Sequence, residues 1–137
     1  MDLLKAKQEL ADGNFTCVLR LGDRVFTSRQ RGIAPLLEWL DGGEIPRGFS
    51  AADKAVGKAP ACIYVLMGAK AVYAGIMTSS AIEIFRRFGI EYECALEVPM
   101  IRNRTDTDFC PVELAVQSLS EPLDVINAAR RRLEQMK

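Results

Sequence analysis

The run FTCVLRLGDRVFTS places the tightest local constraint on this chain. Two β-rich segments, Phe15 to Leu21 and Val25 to Ser28, flank Gly22-Asp23, a pair suited to the sharp turn of a hairpin. Upstream, Asp2 to Ala11 sets Leu3, Leu4, Lys7 and Leu10 at helical spacing, and Asp12-Gly13 offers a glycine that can take the left-handed stop. Downstream, IAPLLEWLDGG reads as a short helix with Pro35 in its first turn, an apolar face of Leu36, Leu37, Trp39 and Leu40, and Gly42-Gly43 as its end. Gly42 to Phe49 then reads as a loop.

Beyond that point the local rules divide. Ser50 suits a helix N-cap, with Asp53 three residues on as a capping-box partner. By propensity alone, Cys62 to Met67 and Ala71 to Met77 can form a second hairpin about Gly68-Ala69-Lys70, and Pro60 argues against an unbroken helix. Thr78-Ser79-Ser80 caps a helix that runs through Phe88 and stops at Gly89, and EYECALEVP alternates as a strand stopped by Pro99. Arg102 to Phe109 is a polar loop, Pro111 opens a helix, and Glu121-Pro122 opens another that ends in Arg130, Arg131 and Arg132.

Composition removes many function classes. The 137 residues contain no histidine, which excludes Ser-His-Asp and Cys-His catalysis, takes away the commonest metal ligand, and leaves acid-base work to Asp, Glu, Lys, Tyr or Cys. Cys17, Cys62, Cys94 and Cys110 form no C-x-x-C pair, so neither a zinc ribbon nor a dithiol redox site is expected, and reduced thiols are. Eighteen basic and eighteen acidic side chains cancel, so no overall field draws nucleic acid or an anionic membrane. No apolar run is long enough to span a bilayer and the N-terminus lacks a signal-peptide core, which together suggest one cytoplasmic domain over residues 1–137.

The segments TCVLRLGDRVFTS, RGIAPLLEWL, SAADKAVGKA, VYAGIMTSSA and VPMIRNRTDTDFCPVE occur in that order, and together they resemble a small uncharacterised bacterial family, a domain of unknown function placed in the cytidine deaminase-like superfamily. The resemblance runs from about Leu10 to Ser118. It implies a three-layer α-β-α fold with a mixed central sheet, a helix from Ala51 to about Met67 kinked at Pro60, and a strand from Ala71 to Met77. Zinc deaminases of that superfamily carry H-x-E or C-x-E at one helix start and P-C-x-x-C at the next. Matched to those motifs, this chain has Ala51 in place of a zinc ligand, Asp53 near the catalytic glutamate, and Ser79 and Ile82 in place of two thiolates. Alanine and isoleucine cannot ligate zinc, so neither a metal nor any other cofactor is expected.

What remains is a charged constellation. On a helix starting at Ser50, Asp53 and Gly57 share one face, while Lys54 and Lys58 share the next and repel weakly, by roughly 0.2–0.5 kcal/mol. An anion at the helix start offsets that repulsion, and Gly57 admits close approach. The loop IRNRTDTDFCPVE adds Arg102, Asn103 and Arg104 as grips for phosphate or carboxylate, and Glu113 lies just past it. Cys110 falls at the N-cap of a helical segment, where backbone N–H groups and nearby arginines favour a thiolate. The expectation is a pocket for a small anionic or nucleotide-like metabolite, with Asp53, Lys54 and Cys110 as candidate catalytic residues and Lys58, Ser79, Arg102, Asn103, Arg104 and Glu113 as candidate ligand contacts. The same residues also read as caps, ion pairs and solvated lysines of a noncatalytic, homo-oligomeric interaction protein.

Overall fold

A computed structural model describes residues 1–102 and 108–137. Its elements are α1 (Asp2–Asp12), β1 (Cys17–Leu21), β2 (Arg24–Ser28), α2 (Ala34–Gly42), β3 (Ser50–Val56), α3 (Lys58–Met67), β4 (Ala71–Thr78), α4 (Ser79–Phe88), β5 (Glu91–Val98), α5 (Pro111–Ala115) and α6 (Pro122–Gln135). The strands form one mixed sheet in the order β2-β1-β3-β4-β5, with helices against it. The hairpin forms as expected: Leu21 pairs with Arg24, and Gly22 takes the positive φ of 60° that the turn needs. β1 also pairs antiparallel with β3, which runs parallel to β4, as β4 does to β5.

The main departure from the sequence reading lies at Ser50–Val56. These residues form a central strand, not the start of a helix, although alanine-rich SAADKAV favours a helix by local propensity. The strand wins because β1 and β4 satisfy its backbone from both sides and because Ala51, Ala52 and Val56 become fully buried. Ser50 is therefore a buried strand residue rather than an N-cap, and Asp53 closes no capping box. The helix begins at Lys58, after Gly57 in extended conformation, which puts Pro60 in its first turn. Its missing N–H is one of those the helix could not pair anyway, so no kink is required.

Other stops and starts follow local chemistry. Thr78 caps α4, its hydroxyl accepting from the Ala81 N–H at 3.1 Å, and Gly89 ends that helix at φ 72°. α1 departs from expectation in a small way: Gly13 keeps a right-handed conformation, and Asn14 takes the positive φ of 58° instead. α6 is tied back to α2 by Arg130, which grips both oxygens of Asp41 at 2.9 and 2.6 Å.

One face of the sheet carries the larger core, centred on Phe49, Tyr64, Phe85 and Ile63. The other carries a small cluster in which Ala6 and Leu10 of α1 meet Val18, Ala52, Phe15 and Tyr73. Val72, Ala74 and then Met77 all reach the larger core, so the alternation of β4 slips by one residue. The slip falls where the β3–β4 ladder omits the Lys54–Gly75 step, and a Cβ on Gly75 would lie 3.0 Å from the Lys54 carbonyl oxygen. No described helix is long and apolar enough to cross a membrane.

Candidate functional site

The β3–α3 junction carries most of the buried polar chemistry. Because β1 is antiparallel to β3, Cys17 at its start stands directly opposite Asp53, and Tyr64 reaches the pair from the second turn of α3. The Tyr64 hydroxyl donates to Asp53 Oδ2 at 2.8 Å, which leaves its oxygen to accept from the Cys17 thiol at 3.2 Å. A longer bond, 3.4 Å, runs from the Ala55 N–H to Asp53 Oδ1.

Burial sets the protonation of this trio. It pushes the Asp53 carboxyl from its ordinary 3.8 up to about 6, even though the hydrogen bonds from Tyr64 and from the Ala55 N–H pull the other way. Burial, reinforced by the neighbouring Asp53 charge, raises the Cys17 thiol well above its usual range and raises the Tyr64 phenol likewise. Cys17 is thus a protonated, closed-off thiol, whereas Asp53 gains and loses a proton close to neutral pH.

A second polar assembly closes the start of α3. Gly57 has no side chain with which to cap it, and Glu113 of α5 does so from 55 residues away: its Oε1 accepts from the Lys58 N–H at 2.7 Å and its Oε2 from the Ala59 N–H at 3.1 Å. The Lys58 ammonium donates in turn to the carbonyls of Val116, Gln117 and Leu119 at 3.2, 2.9 and 2.7 Å. Burial raises the Glu113 carboxyl, opposed by those two N–H bonds and by the Lys58 charge. A Cβ on Gly57 would meet the Glu113 carboxyl carbon at 2.3 Å, so a side chain there would push the carboxylate off the helix start.

The candidates named from sequence are therefore sorted differently in space. Lys58 and Glu113 do come together, but with each other and with backbone: all three ammonium donors and both carboxylate oxygens are engaged internally. Lys54 shares no helical face with Lys58; it is an exposed strand residue whose N–H donates to the Thr16 carbonyl at 3.1 Å. The Ser79 hydroxyl donates to Glu97 at 2.9 Å. Cys110 precedes the five-residue α5, its N–H bonded to the Ile101 carbonyl at 2.7 Å, and is half-buried against the larger core. Arg102 forms an isolated bridge with Phe109, over whose ring its guanidinium sits at 5.3 Å. Asn103 and Arg104 lie outside the described residues. Ala51 is buried on β3 and Ile82 on α4, each without a donor atom for a metal. Cys17 and Tyr64 escaped the sequence reading because only strand pairing and helix packing bring them to Asp53.

A shallow cavity of about 440 Å³ lies between the start of α5 and the end of α6, lined by Asp108, Phe109, Pro111, Leu114, Ala115 and Arg132. It joins an exposed aromatic ring and an exposed leucine to a guanidinium and a carboxylate. It borders the segment that carries Arg102 and Cys110, not the one that carries Lys54.

Comparison with known proteins gives a fold and a family but no activity. The crystal structure of a DUF1893 family protein (TM1506) from Thermotoga maritima superposes with a TM-score of 0.85 at 20% identity, covering 95% of this chain and 89% of that one, a likeness of fold. No curated protein matches. The model of the TM1506 family, described as a domain of unknown function (DUF1893), matches residues 5–133. The chain therefore belongs to the DUF1893 family of domains of unknown function.

Proposed function

We propose that residues 1–137 form one cytidine deaminase-like domain without the zinc centre, and that it binds a small anionic, nucleotide-like metabolite in the cavity between α5 and α6. The observation that carries this reading is the lining: the Phe109 ring offers a stacking surface, Leu114 an apolar wall, and Arg132 a cation, in a volume within the usual range of small-molecule sites. The start of α3, by contrast, is filled by the Glu113 carboxylate, so an anion has no place there. Cys110, between two lining residues, is the thiol nearest this cavity in sequence.

Thermal shift and calorimetry across nucleoside mono- and diphosphates and other phosphorylated metabolites test the reading. A ligand at a hundredfold excess over its Kd should stabilise the protein by about 2.7 kcal/mol. Phe109→Ala and Arg132→Ala should each abolish the response while leaving the unliganded protein folded. No stabilisation by any of these compounds, or a response untouched by both substitutions, would overturn it.

A second reading, a noncatalytic homo-oligomer, draws on β5. It is an edge strand of eight residues whose Leu96 is 56% exposed beside Ile76 at 39%. A concentration-independent monomer mass in light scattering would remove it.

A further inference from the structure

We propose that the cavity between α1 and β1 is a second binding site, fitted to a small extended zwitterion with a carboxylate at one end and a cationic nitrogen at the other, about 5–10 Å apart. The cavity measures about 400 Å³ and lies apart from both the β3–α3 junction and the α5–α6 cavity. Lys5, Gln8, Glu9 and Asp12 line it at helical spacing, so one stripe of α1 faces it, while Ala6 and Leu10 pack on Val18 and Ala52. Phe15 forms an apolar part of the wall. Its ring folds against Gly13, where a Cβ would lie 2.3 Å away, and the Arg29 guanidinium sits over it at 4.4 Å.

Charge and spacing select the ligand. The four charged wall residues, Lys5, Glu9, Asp12 and Arg20, cancel, which disfavours a simple anion and favours a molecule carrying both signs. Arg20 Nη1 donates to Glu9, but its Nε is the only buried side-chain polar atom without a hydrogen-bond partner among the described residues. An orphaned donor of this kind is an unmet demand for an acceptor, and a carboxylate meets it along the edge of the guanidinium away from Glu9. Nε is closed to solvent, so binding turns the Arg20 side chain, itself part of the cavity wall, to bring its Nε edge to the ligand. The side chains of Lys5 and Asp12 have no ion-pair partner among the described residues, leaving one to draw the carboxylate and the other the cationic nitrogen. Along the axis of α1, Asp12 lies about 4.5 Å beyond Glu9 and about 10.5 Å beyond Lys5, which sets the separation of the ligand's charges.

Chemical-shift titration of the labelled protein with 6-aminohexanoate tests this, with hexanoate and hexylamine as single-charge controls. 6-Aminohexanoate should shift the amides of α1 and β1 and bind at least about tenfold more tightly than either control. Asp12→Asn, a surface change that leaves the fold intact, should reduce its affinity to that of hexanoate. Arg20→Lys should weaken both carboxylates and leave hexylamine unaffected. Equal affinity for hexanoate and 6-aminohexanoate, unchanged affinity in Asp12→Asn, or no response at α1 at tens of millimolar would each overturn the proposal.

Discussion

Glu113 and Asp53 are carboxylates beside the β3–α3 junction, the first buried and the second half-buried, and burial raises both. They differ in what surrounds them. Glu113 receives two N–H groups of a helix start, one at each oxygen, and the Lys58 charge favours its ionised form. Asp53 receives one phenol and one long N–H contact. A buried charge is a fastening where the fold supplies full compensation and a standing cost where it does not. The first ties the C-terminal segment to the start of α3, and the second leaves a proton-exchanging group at the edge of the core.

The strongest way to break this comparison is to remove the fastening. Glu113→Ala strands two N–H groups at the start of α3, each at about 1–3 kcal/mol, and should cost about 3–5 kcal/mol in chemical denaturation. Gly57→Ala should act in the same direction, because its Cβ collides with the same carboxylate. A loss below about 1 kcal/mol in Glu113→Ala would mean that the contact holds nothing together.

Asp53 should show its cost through pH. Its carboxyl titrates at about 6 when folded and near 3.8 when free, so between those values the folded state holds more protons than the unfolded one. Stability from this group is therefore full below about pH 4 and falls as pH rises toward 6, by about 3 kcal/mol in all. Asp53→Asn should remove that slope, and the difference between the two profiles isolates it from the other carboxylates. Parallel stability profiles for the two proteins would show that Asp53 is solvated and not confined.

The two lysines give the smallest and sharpest contrast. Lys58→Ala leaves three carbonyls without their donor and should cost about 1–3 kcal/mol, whereas Lys54→Ala, at an exposed strand position, should stay within about 0.5 kcal/mol of the parent. Equal effects in equilibrium unfolding would contradict the placement of Lys54 on a strand and Lys58 at a helix start.

Much of the architecture could be read locally because its signals are local. The Gly22-Asp23 turn, the Thr78 cap, Gly89, Pro111 and Pro122 each act through neighbours within a few residues. The reading failed at SAADKAV, where local propensity and the pairing partners disagree. It paired Asp53 with Gly57, and Lys54 with Lys58, by helical spacing, while the strand ends at Val56 and strand pairing gives Asp53 to Cys17 and Tyr64. Lys58 and Glu113 were both visible as charged residues near glycine and proline, but nothing in their spacing says that they meet.

The sequence by itself determined the Gly22-Asp23 turn and both ends of α4, which segments carry an apolar face, and which chemistries are closed to a chain without histidine. These are properties of single residues and of neighbours a turn apart. Only the tertiary structure decided that Ser50–Val56 is a central strand, that Glu113 caps a helix 55 residues upstream, and that Asp53 is hydrogen-bonded in one cluster with Tyr64 and Cys17. Those outcomes depend on strand register and on the burial of groups far apart in the chain, where the free energy of pairing a backbone or desolvating a charge outweighs a propensity of less than about 1 kcal/mol per residue.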